Sequence, residues 1–122
     1  MRNGSVGVTF NDIERARNLA TLKAFLERKR PPPHVRSQLD FGYAVVGHLV
    51  DVFEIRPDWK DPTITRHRPL ARVRFVRTRT EWCLYWMRED LKWHAYEPSP
   101  RHSSLLSALD VIAADAHGCF FG

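Results

Sequence analysis

A chain of 122 residues, 43% hydrophobic and 11% aromatic, is long enough for one modest core and too apolar to be a disordered tail. It has no apolar run approaching the roughly 18–20 residues of a membrane-spanning helix, so no membrane partner is expected. Its 15 arginines and 4 lysines outnumber the acids, leaving a net charge of +5 that sits mainly in residues 1–36 (+5) and 70–80 (+4).

The opening MRNGSVGVTFND lacks the apolar centre of a signal peptide. A cytoplasmic protein is expected, with Cys83 and Cys119 as reduced thiols, in a single domain over 1–122 whose residues 1–10 are a flexible N-terminus. Asn11 with Glu14 three residues on predicts a capping box and a helix start. Ile13, Ala16, Leu19, Ala20, Leu22 and Leu26 then form its apolar stripe. Arg28-Lys29-Arg30 places cations at the negative end of the helix dipole, and Pro31-Pro32-Pro33 stops the helix.

Five strand-like segments follow. Leu39–Val46 and Leu49–Arg56 flank Gly47, as in a hairpin. RPDWKDPTITRHRP, residues 56–69, holds three prolines and reads as a loop. Trp59 within it is expected either to anchor a protein partner or to fold over the end of the sheet. Leu70–Arg77, Glu81–Met87 and Lys92–Glu97 come next, joined by short connections. SPRHSS is a break, Ser103 or Ser104 caps a last helix, and Gly118 terminates it. The terminal Cys119-Phe120-Phe121-Gly122 should pack back on the core. The fold class expected is α+β: an N-terminal helix, a five-stranded antiparallel meander sheet, open or bent into a barrel, and a C-terminal helix.

The stretch TRHRPLARVRFVRTRT, residues 65–80, has six arginines and no acid. Pairing its strand with the next through Arg77–Thr80 sets Arg74 opposite Cys83, Arg72 opposite Tyr85, Phe75 opposite Trp82 and Val73 opposite Leu84. A four-residue turn at Arg88–Leu91 then sets Trp86 opposite Trp93, Tyr85 opposite His94 and Cys83 opposite Tyr96. Strand alternation sorts these residues into an apolar face of Val73, Phe75, Trp82, Leu84, Trp86, Trp93 and Ala95, and an outward face of Arg72, Arg74, Cys83, Tyr85, His94 and Tyr96. Guanidinium groups among flat rings suit single-stranded nucleic acid, where cations hold phosphates and rings stack on bases. The expected surface is therefore Arg72, Arg74, Tyr85, His94 and Tyr96, with Arg77 and Arg79 at its rim, and the expected partner is single-stranded RNA or DNA.

ERKRPPPHVRSQLDFGY, VDVFEIRPDW, LYWMREDLKWHAYEP and HGCFFG together resemble the bacterial domain-of-unknown-function family 3024 over residues 11–122. The resemblance implies no activity and no site residues. The order of elements, a helix and then antiparallel strands, is also similar to that of Sm-like barrels, which bind RNA. The loop at 56–69 and the final helix depart from that pattern.

Catalytic alternatives rest on thinner patterns. Asp51 with Glu54-Ile55-Arg56 suggests a metal-dependent nuclease, with Asp40 as a substitute carboxylate. Asp51 and Glu54, however, lie an odd number of residues apart and point to opposite faces of one strand. His94 beside Tyr85 and Glu97 could move protons in RNA cleavage. The six histidines show no zinc-ligand spacing, and there is no phosphate-binding glycine loop. No catalytic residue, metal or cofactor is expected. The remaining alternative is an interaction module, a homo-oligomer built through open sheet edges.

Overall fold

The computed structural model describes residues 9–121. Helix α1 spans Asp12–Lys29 and begins as its sequence predicts. The Asn11 side chain accepts from the Glu14 N–H at 2.8 Å, and Glu14 accepts from the Asn11 N–H at 3.0 Å. Each half of this box satisfies an N–H that the first helical turn leaves without a carbonyl. Phe10, counted above with a flexible N-terminus, is a core residue stacked on Trp82 at 5.6 Å. The expectation for residues 1–8 lies outside the described residues.

The strands are β1 (Asp40–Val46), β2 (Leu49–Pro57), β3 (Thr65–Val76), β4 (Glu81–Met87), β5 (Trp93–Ala95) and β6 (Arg101–His102), followed by helix α2 (Leu105–Ala114). They form one antiparallel sheet in the order β1-β2-β3-β4-β5, with β6 also on β4. The α+β class holds and the sheet is open, with β1 at one edge and β5 and β6 at the other. SPRHSS, expected as a break, supplies β6: Arg101 faces Cys83 and His102 faces Trp82.

The 56–69 loop shrinks to a short tip, because β2 and β3 extend into a long hairpin. Val52 faces Ala71 while Phe53 faces Pro69, which leaves Leu70 as an extra residue on β3. Pro69 has no N–H for a ladder, and a bulge is where a strand tolerates that. Asp58 closes the tip. Its N–H donates to Ile64 O at 2.8 Å, and its carboxylate accepts from the N–H groups of Lys60 and Asp61. Trp59 stands 86% exposed there with Lys60 over its ring at 4.9 Å, so it is no lid over the sheet.

Both helices pack on one side of the sheet, around fully buried Val50, Val52, Ala71, Val73 and Leu84. From α2 come Leu105, Ala108, Leu109 and Ile112, and Phe120 returns to the same core as expected. Helix α2 ends earlier than Gly118 would place it. Asp115 takes the left-handed cap at φ 43°, and its carboxylate accepts from the N–H groups of Phe120 and Phe121. The α1 stripe is also corrected. Its buried side is Asn18, Leu22 and Phe25, whereas Ile13, Ala16, Leu19 and Ala20 face solvent. Residues 18, 22 and 25 share one helical face, and 13, 16 and 20 lie nearly half a turn around from it at about 100° per residue. Ala16 and Ala20 are small enough to sit in solvent at little cost, so they do not mark the buried side.

The basic end of α1 is engaged internally. Arg28 pairs with Asp110 of α2, Lys29 donates to Ala113 O, and Arg30 grips Asp40 with two bonds of 2.9 and 2.7 Å. Those bonds hold the Asp40 carboxyl below its ordinary pKa.

Candidate nucleic-acid interface

The β3–β4 register is the expected one: Arg72 faces Tyr85, Val73 faces Leu84, Arg74 faces Cys83 and Phe75 faces Trp82. The β4–β5 register is not. Tyr85 faces Ala95, Trp86 faces His94 and Met87 faces Trp93. The connection is five residues long, with Arg88 N–H donating to Lys92 O and Leu91 in the left-handed region at φ 61°. That single extra residue turns the whole of β5 over.

Two candidate residues change sides as a result. Tyr96 lies in the core, 2% exposed against Phe120 at 4.9 Å, and burial pushes its hydroxyl pKa up. His94 lies on the helix side opposite Trp86, with Nε2 on the Asp90 carboxylate at 2.8 Å. Neither contributes to the outward face. Trp93 and Ala95, assigned to the core, come out to it instead.

The outward face reads in rows across the strands. One is Leu49–Arg74–Cys83–Arg101 and the next is Ala44–Asp51–Arg72–Tyr85–Ala95. Arg72 is only partly available. It binds Asp51 through two bonds of 2.7 and 2.8 Å, which raise its pKa further, and its guanidinium lies over Trp93 at 4.9 Å. Arg74 is exposed and donates to the Tyr85 hydroxyl at 3.1 Å. Neither Arg74 nor Arg101 pairs with a carboxylate among the described residues. About two strand spacings, roughly 10 Å, separate the two arginines across Cys83.

The rim arginines are committed elsewhere. Arg77 donates to Glu14 and to Thr9 O, which ties the β3–β4 turn to the start of α1. Arg79 bonds Glu81 at 2.8 Å. Of the expected set, the structure brings Arg72, Arg74 and Tyr85 together. It places Arg77 and Arg79 in ion pairs at the turn and removes His94 and Tyr96. Trp93 and Arg101 are additions that the turn length and the unforeseen β6 had hidden.

The carboxylates of the nuclease pattern do not converge. Asp51 holds Arg72 on the outward face, Asp40 holds Arg30, and buried Glu54 holds Arg56 and Arg68. Burial pushes the Glu54 carboxyl up, but the hydrogen bonds and charges of the two arginines outweigh it and keep the carboxyl below its usual range. Among the described residues, no group of three or more His, Cys, Asp or Glu side chains is arranged to hold a metal ion. Cys83 and Cys119 are free thiols. Burial, then the Asp115 charge, pushes the Cys119 thiol pKa up, away from a reactive thiolate.

The sequence model of the family described as Domain of unknown function (DUF3024) matches residues 10–122. The chain belongs to this family. No curated protein and no solved structure matches it. No helix is long and apolar enough to cross a membrane among the described residues.

Proposed function

We propose that the helix-free face of the sheet binds single-stranded nucleic acid, RNA in the first instance, without catalysing its cleavage. The observation that carries this reading is the Arg74–Cys83–Arg101 row, with two cations that have no carboxylate partner among the described residues, near the rings of Tyr85 and Trp93. Arginine supplies forked donors to phosphate, and phenol and indole rings stack on bases of any identity. Arg72, neutralised by Asp51, holds Trp93 in place in this scheme rather than gripping phosphate.

Fluorescence anisotropy of a short labelled RNA, titrated across salt concentrations, tests the reading. Two to three phosphate contacts on a single strand predict a log–log salt slope of roughly −1.4 to −2. Arg74→Ala should flatten that slope by about 0.7 and weaken binding, and Arg101→Ala should do the same. Tyr85→Ala should cost about 1–3 kcal/mol of affinity if a base stacks there. Asp110→Ala, on α2, should change nothing. Binding that ignores salt, or that ignores Arg74, ends the proposal. Magnesium-dependent cleavage abolished by Glu54→Gln would replace it with the nuclease.

Self-association has an observation of its own. Strand β1 is an open edge, and Val46 at its end is 72% exposed. Concentration-dependent sedimentation together with no RNA affinity would favour that second reading.

A further inference from the structure

On the side of the sheet away from the arginine rows, a cavity of about 390 Å³ opens between the first half of α1, the β3–β4 turn and the start of α2. That volume falls within the roughly 300–1,000 Å³ of small-molecule sites. Phe10, Phe75 and Trp82 give it an apolar wall. Asn18 lines it from α1, only 7% exposed, and its side-chain nitrogen has no hydrogen-bond partner among the described residues. A buried amide left unpaired costs free energy, and a polar group in that position is an opening for a ligand atom.

A second, independent feature faces the same space. Ser104, Leu105 and Leu106 at the start of α2 line the cavity. Ser104 caps the helix by accepting from the Ser107 N–H at 3.0 Å. The N–H groups of Leu105 and Leu106 make no hydrogen bond to any described residue. In a helix of 10 residues these donors and the dipole behind them favour an anion. The charges at the mouth agree in sign. Glu14 also lines the cavity, but Arg77 holds it through bonds of 2.9 and 3.1 Å, so that pair is neutral. Arg17 lines it as well and has no carboxylate partner among the described residues.

We infer that this cavity is a binding site for a small molecule that joins an oxyanion, phosphate or carboxylate, to a compact apolar body. The oxyanion sits at the α2 N-terminus within reach of Arg17, the Asn18 amide bonds a polar atom of the ligand, and the apolar part lies against Phe10, Phe75 and Trp82. The site is separate from the sheet face and does not depend on nucleic-acid binding there.

Amide-correlation NMR of the full chain with phenyl phosphate as the probe tests this, with inorganic phosphate and benzoate as separate arms. Saturable shifts are expected at the Asn18 side-chain amide, the Leu105 and Leu106 N–H groups and the Trp82 indole. Inorganic phosphate, lacking the apolar body, should bind about tenfold more weakly. The relative strength of phenyl phosphate and benzoate assigns the anion class. Arg17→Gln, on an exposed side chain that the fold does not need, should weaken phenyl phosphate by about tenfold. Asn18→Leu should abolish binding while raising the melting temperature, since it removes the unpaired amide. Arg74→Ala should leave the shifts unchanged. Absence of saturable shifts for all three probes overturns the inference, as does binding that survives both Arg17→Gln and Asn18→Leu.

Discussion

On the helix-covered side of the sheet, the middle of β2, β3 and β4 is Val52, Ala71, Val73 and Leu84, all fully buried. One residue along each strand, on the open side, stand Asp51, Arg72 and Tyr85; a two-bond ion pair joins Asp51 to Arg72, whose guanidinium lies over the Trp93 ring. The two sides are held by different physics. The covered side gains from area, at about 25 cal/mol per Å² removed from water, and tolerates no missing methyl groups without a cavity. The open side gains little from each exposed pair, about 0–1 kcal/mol, but the pairs fix which groups remain unengaged. Stability is therefore concentrated on one side of the sheet, and the chemistry available to a partner on the other.

Substituting sequence neighbours that point opposite ways breaks that comparison most directly. Leu84→Ala should destabilise the protein by about 2–5 kcal/mol in urea unfolding, because a fully buried leucine leaves a void that rigid neighbours cannot fill. Tyr85→Ala, one residue on, should cost under about 1 kcal/mol, since it removes only cross-strand contacts on a solvated side. Equal losses at the two positions would mean that the open side is not open.

Acid should act next, and through the covered side. The Arg77 side chain, then the Asn11 N–H, lowers the Glu14 pKa from 4.5 to about 2. A carboxylate depressed in the folded state stabilises fully above its unfolded pKa, and loses that contribution as pH falls towards the folded one. Denaturation midpoints followed from pH 5 to pH 2 should therefore fall through this window, and Glu14→Gln should flatten the part of the decline that this group causes. An unaltered acid profile in Glu14→Gln would show that the joint between α1 and the β3–β4 turn is not what acid releases.

How far the sequence reveals the two sides depends on the turns between strands. The Arg77–Thr80 connection gives one register under either turn reading, so the Arg74–Cys83 and Val73–Leu84 pairs were legible from alternation alone. The helix cap was equally plain, because Asn11 and Glu14 answer each other within one turn. Strand β5 was not legible. Its phase depends on a left-handed residue at Leu91, and no glycine or asparagine marks the position. The Arg72–Asp51 pair was hidden for a related reason: the β2–β3 register passes through a bulge at Leu70 that alternation does not foresee. Asn18 was overlooked because a polar residue among alanines and leucines looks like the solvent side of a helix.

The smallest expected effect isolates the left-handed residue that sets the phase of β5. Leu91 is 80% exposed, so its side chain contributes little packing, yet its backbone sits at φ 61°. A non-glycine residue there costs about 1–2 kcal/mol, and glycine gives back about 0.5–1 kcal/mol through its freer unfolded chain. Leu91→Gly should therefore stabilise the protein by about 0–1.5 kcal/mol and keep Met87 opposite Trp93. A destabilisation instead would say that the connection does not need its left-handed residue. Tyr96 and Trp93 would then have to be held on their respective sides by their own packing, Tyr96 against Phe120 and Trp93 against Arg72, rather than by the length of the turn that precedes them.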